Sequence, residues 1–163
     1  MALDMAKYRA LFLEEATEHL AEMSRALLEL EKDSTSVESI DLVFRMAHSI
    51  KSMAASVGYE AITEVSHALE DRMQQIRSAG QLGLGADAAP EALGALFRGL
   101  EGLERMVGFV RENDAAPETD AQLVASLQAI PVAAAAPDVD PALEATVHAM
   151  AGAESPPEKK ALS

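Results

Sequence analysis

Residues 47–71 read AHSIKSMAASVGYEAITEVSHALED, and the recurrence of their apolar groups decides the fold. Ala47, Ile50, Ala54 and Val57 alternate three and four residues apart. That spacing keeps one face of an α-helix against a core. Gly58 interrupts the pattern, and glycine turns left-handed at a helix end without a Cβ penalty. Ile62, Val65 and Leu69 then resume it, so the stretch reads as a helical hairpin. His48, Lys51, His67 and Glu70 sit on this hairpin at intervals that a plain solvated surface does not call for.

The same reading extends in both directions. Over residues 4–32, Leu11, Phe12, Leu20, Met23, Leu27 and Leu30 recur at helical spacing among glutamates, which predicts one long first helix. DSTSVES follows as a turn, with Ser36 as the expected N-cap of a second helix over residues 37–57, whose core line also includes Ile40 and Val43. The third helix is expected over about residues 60–78, its stripe continuing through Met73 and Ile76. SAGQLGLGADA is a flexible connection. Pro90 and Glu91 suit the first turn of a fourth helix running through Leu93, Leu96, Leu100, Leu103, Val107 and Val110. ENDAAPETD breaks it. A short fifth helix over about residues 118–130 would anchor through Leu123 and Leu127.

From Pro131 the chain becomes rich in alanine and proline without large side chains, and such a segment buries too little surface to offset the entropy of ordering. The expected organisation is an all-α domain over residues 1–130, an up-down antiparallel four-helix bundle with a short fifth helix. A linker or disordered tail over 131–163 follows, with a transient helix over 141–150.

Composition narrows the functional classes. Apolar residues make up 49% of the 163 positions but aromatics only 4%, a balance suited to packed helices rather than sheets. Cysteine is absent, which removes disulfides and thiolate metal sites. The opening MALDMAKYRA is charged early and has no long apolar run, so neither a signal peptide nor a membrane span is expected, and a cytoplasmic protein is the default. A net charge of −14 disfavours phosphate backbones and anionic membranes and suits an acidic protein that meets other proteins.

Helix geometry places the four polar residues. At 100° per residue, His48 lies roughly 130° and Lys51 roughly 70° from the core direction of the second helix, on the same side. Glu70 and His67 lie roughly 100° and 160° from that of the third, on the same-signed side. A turn at Gly58 and Tyr59 brings residue 48 level with about residue 69. All four residues are therefore expected on one exposed patch. Singly, each is an ordinary surface residue, and His19 and His148, without supporting partners, read as just that. Met46, Met53 and Met73 read as core filler.

The convergence implies chemistry. Neutral imidazole has one nitrogen free as a nucleophile near neutral pH. Glu70, accepting from the other ring N–H, would select that tautomer, and Lys51 would stabilise a phosphoryl group on His48. His67 would supply a second hydrogen bond nearby. Small neighbours, Ser52 and Ala55, leave room for a partner protein to approach.

FRMAHSIKSMAASVGYEAITEVSHALED resembles the histidine-phosphotransfer (HPt) domain of chemotaxis-type histidine kinases, the CheA family. The family pattern is His-Ser/Thr-x-Lys-Gly followed by His-x-x-Glu on the next helix. It falls here on His48, Ser49 and Lys51, then His67 and Glu70. FLEEATEHLAEMSRALLELEKD is similar to the family's first helix, and the likeness covers about residues 5–112. The resemblance implies that His48 is the phosphoacceptor, carrying phosphate on Nε2, with Glu70 holding Nδ1 and Lys51 and His67 flanking the phosphate. The implied partners are a histidine kinase catalytic domain and the receiver aspartate of a CheY-like response regulator. ATP and magnesium would belong to those partners, with no cofactor bound by this domain. Ser52 departs from the pattern, standing where the family has glycine.

HSIKSMAAS lacks the acidic residue and proline-bearing turn of dimerising phosphoacceptor helices, so a monomeric bundle is expected. GLG at residues 83–85 falls far short of a phosphate loop, so the chain reads as a substrate domain, not an enzyme by itself, and as a piece of a larger kinase or a free-standing carrier. Two other readings are an adaptor bundle without phosphotransfer and a metal site of His48, His67 and Glu70. The latter lacks an evident fourth ligand.

Overall fold

The structure is a computed structural model that describes residues 2–80 and 89–132. Those residues form helices α1 (Ala2–Lys32), α2 (Val37–Val57), α3 (Glu60–Ala79), α4 (Ala89–Asn113) and α5 (Ala121–Gln128). Among them there is no strand. Helix α2 packs between α1 and α3, and α4 closes the ring by packing on both α1 and α3. This is the expected four-helix bundle, and α5 lies across α3 and α4. The expectations for the 81–88 connection and for residues 133–163, the linker and the 141–150 helix among them, lie outside the described residues.

The stripes read from the sequence meet in the middle. Met23, Leu27, Ile40, Ile50, Ile62, Leu69, Met73, Leu96 and Leu103 are fully buried. Burying each such side chain contributes about 1.5–3 kcal/mol. Ala16, Ala47 and Ala54 are also sealed from solvent. One assignment needs correction: Leu11 is 50% exposed. The α1 core line runs Phe12, Ala16, Leu20, Met23, Leu27 and Leu30, and Leu11 stands about 100° off it. Val57 packs only at the edge of the core. Phe12 meets the ring of Tyr59 edge-on, centroids 5.3 Å apart, and so closes the bundle over the α2–α3 turn.

Helix ends follow local chemistry. Ser36 Oγ accepts from the Ser39 backbone N–H to cap α2. At the other end Gly58 adopts φ 82°, and the N–H groups of Gly58 and Tyr59 satisfy the Ala55 and Ala54 carbonyls. Helix α5 is shorter at both ends than expected. Asp120 caps it by accepting from the Leu123 N–H at 3.0 Å, so it begins at Ala121, and it ends before Pro131. It seats closely on α4: a Cβ added at Gly102 would meet the end of the Leu123 side chain and one at Gly99 would come within 3.0 Å of Leu127, so those leucine ends would have to shift. Arg72 of α3 adds a hydrogen bond to the Gln128 carbonyl.

Gly58 fixes the α2–α3 register with a backbone that alanine adopts only at a cost of roughly 1–2 kcal/mol. Gly58→Ala is therefore expected to lower the urea midpoint by the equivalent of that amount, with an unchanged m-value, in equilibrium unfolding followed by circular dichroism.

Candidate functional site in the α2–α3 groove

His48 and Glu70 stand eleven residues to either side of Tyr59, so the antiparallel hairpin brings them to the same height. The Glu70 carboxylate spans the groove with both oxygens. Oε2 accepts from His48 Nδ1 at 2.5 Å and Oε1 accepts from Lys51 Nζ at 2.6 Å. An ionised carboxylate only accepts, so Nδ1 carries a proton, and in the neutral ring Nε2 then keeps its lone pair. No described residue hydrogen-bonds Nε2. The imidazole side chain is 57% exposed, whereas Glu70 is 15% and Lys51 27% exposed. The imidazole is thus open to solvent on a base that is largely covered.

Burial alone would push the Glu70 carboxyl up. Hydrogen bonds from Lys51 and His48, with the charges of both, outweigh it and hold the group below its ordinary value. Below the site, a second set of contacts fixes the same two helices. Arg77 of α3 lies 4.4 Å above the Phe44 ring of α2 and reaches Asp41 at 3.6 Å, while Arg45 donates to Asp41 at 2.8 Å.

Ser52 and Ala55 are exposed on α2, as expected of residues beside an open imidazole. His67 does not join the cluster. It is exposed on α3 and lines the groove toward α5 with Glu64, Ala68, Asp71 and Val124. Among the described residues it makes no hydrogen bond to His48, Lys51 or Glu70. Among the described residues no group of three or more His, Asp or Glu is arranged to hold a metal ion.

His19 corrects the sequence reading. It is half-buried, and its Nε2 lies 2.9 Å from Ser49 Oγ, tying α1 to the residue next to His48. The sequence carried a usable signal. His19 and Ser49 stand fifteen residues to either side of Ser34, in the turn between α1 and α2.

Fold and site together define a helical-bundle domain that presents one oriented imidazole to solvent. A sequence model of the Hpt domain matches residues 7–153 of this chain, and the chain belongs to the Hpt domain family. Among curated proteins it is similar to chemotaxis protein CheA of Bacillus subtilis (strain 168), 35% identical over 105 residues, covering 64% of this chain and 15% of that protein. It is likewise similar to chemotaxis protein CheA of Listeria monocytogenes, 31% identical over 120 residues, covering 74% of this chain and 19% of that protein. The chain thus spans less than a fifth of the length of these relatives. Its fold is similar to that of the phosphorylated P1 domain of CheA3, solved in complex with CheY6 from R. sphaeroides. The TM-score is 0.65 at 21% identity, covering 75% of this chain and 93% of that one.

Two outcomes follow from the geometry. Above the imidazole titration, nitrogen-15 NMR is expected to show His48 as the Nδ1–H tautomer, and Glu70→Ala to shift the population toward the Nε2–H form that free imidazole side chains favour. Second, because the folded Glu70 carboxyl titrates below its unfolded value near 4.5, its stabilising contribution is present above that value and is lost as pH falls through the folded one. The stability margin of the wild type over Glu70→Gln, from urea unfolding, is expected to hold at pH 6 and to shrink as pH drops below about 4.5.

Proposed function

We propose that this chain is the phosphorelay carrier of a chemotaxis-type two-component system. His48 receives a phosphoryl group from ATP bound to a histidine kinase domain and passes it to the receiver aspartate of a CheY-like response regulator. The observation that carries this reading is the 2.5 Å bond from Nδ1 to Glu70, which leaves the outward Nε2 as the nucleophile. In the first transfer, Nε2 forms an N–P bond to the γ-phosphorus while the bond to the β–γ bridging oxygen breaks, and ADP leaves. In the second, a carboxylate oxygen of the receiver forms the new O–P bond, and the N–P electron pair returns to Nε2. Glu70 stabilises the positive ring formed between the two steps. Lys51, rather than His67, is assigned the phosphoryl oxygens, since its ammonium group already stands in the groove and has two further protons to donate.

ATP and magnesium belong to the partners in this reading. The likeness to small parts of CheA proteins supports a place within a larger histidine kinase. The complex of the CheA3 P1 domain with CheY6 supports a receiver as the phosphate's destination. We take the bundle to act as a monomer in the cytoplasm. No described helix is long and apolar enough to cross a membrane.

Incubation with a CheA-type kinase core and γ-labelled ATP tests the reading. The label on the chain should survive base, be lost in acid and vanish in His48→Gln. Lys51→Ala, which removes a charge-assisted hydrogen bond, should slow labelling about tenfold. A label that persists in His48→Gln would overturn the assignment.

A further inference from the structure

The serines of α2 differ in what their hydroxyls do. Ser39 Oγ accepts from Ser36 Oγ at 3.0 Å, Ser49 Oγ pairs with His19 at 2.9 Å, and Ser56 Oγ donates to the Ser52 carbonyl at 3.1 Å. Ser52 Oγ makes no hydrogen bond to any described residue, and the side chain is exposed. It lies four residues beyond His48, hence one turn away on the same face. Helical side chains lean toward the N-terminus, so the Ser52 hydroxyl hangs over the turn that holds His48. Seen down α2, Lys51 stands about 60° to the α3 side of His48 and Ser52 about 40° to the opposite side. The ring is pinned to α3 through Nδ1, which directs Nε2 away from Glu70 and toward solvent. Lys51 and Ser52 therefore straddle a group carried on Nε2, and Lys51 is already shared with Glu70.

We propose that the Ser52 hydroxyl is a further ligand of the phosphoryl group on His48, donating to one of its oxygens and prolonging the life of the phosphohistidine. The inference rests on the phosphoacceptor reading above. Breakdown of phosphohistidine passes through a loose, metaphosphate-like state in which each terminal oxygen bears less charge than before. A donor to those oxygens therefore holds the ground state more firmly than the transition state, and hydrolysis slows. Glycine, which the related pattern has at this position, offers no such donor.

Phosphoramidate tests this without a kinase. Nε2 forms the N–P bond as the P–N bond of the reagent breaks and ammonia leaves; in the decay that follows, water forms the O–P bond and the ring recovers its electron pair. Phosphate on His48 is followed by phosphorus-31 NMR after the reagent is removed, with His48→Gln as the reference for other histidines. Ser52→Ala and Ser52→Gly should each shorten the lifetime about threefold, the scale of one net hydrogen bond, and Ser52→Thr should restore it. Equal lifetimes in all four proteins, or a loss in Ser52→Thr as large as in Ser52→Ala, would overturn the Ser52 assignment alone. Failure of the wild type to gain any phosphate at His48 would overturn it together with the phosphoacceptor reading.

Discussion

One carboxylate holds this structure's chemistry together. Glu70 reaches from α3 to two residues of α2, taking the Nδ1 proton of His48 on one oxygen and the Lys51 ammonium on the other. A largely covered carboxylate is costly unless it is well paired, and here both partners are charged or polarised donors in short contact. The same pairing that makes the buried charge tolerable also fixes the imidazole tautomer. In the proposed relay, the residue that stabilises the α2–α3 pairing is thus the same one that orients the phosphoacceptor.

The bundle exists to keep that carboxylate in register. Gly58 ends α2 in a left-handed conformation, Tyr59 closes the turn against Phe12, and His48 and Glu70 are then equidistant from the bend. The clamp of Arg77 on Phe44 and Asp41 repeats the cross-link two turns lower. On the other side of α2, the bond between His19 and Ser49 restrains its rotation relative to α1. In the proposed relay, an imidazole that must meet its partners in line gains from a helix restrained on both sides.

Much of this was legible in the chain itself, for identifiable reasons. Three-and-four spacing of Ile40, Val43, Ala47, Ile50 and Ala54 fixes the face of α2, and with it the outward direction of His48. The glycine at position 58 fixes the axial level, so the meeting of His48, Lys51 and Glu70 follows from two local signals. What was not legible depends on contacts between elements distant in sequence. Leu11 looks as apolar as its neighbour Phe12, and only the small Ala16 reveals which of them continues the core line. The pocket that His67 lines is shaped partly by α5 residues, whose place the spacing within α3 does not reveal. Helix α5 packs there on the close α4 surface at Gly99 and Gly102, a contact between elements distant in sequence. The partner of His19 shows only when the α1–α2 register is carried through the turn at Ser34, across thirty residues of sequence.

The central claim is that Glu70 leaves a single ring nitrogen available for phosphate. Determining which nitrogen bears the group, by nitrogen-15 and phosphorus-31 NMR of His48-labelled protein after kinase treatment, tests it most directly. The account predicts a phosphorus–nitrogen coupling at Nε2 alone, with the Nδ1 proton retained and hydrogen-bonded. Phosphate on Nδ1, or divided between the two nitrogens, would contradict it.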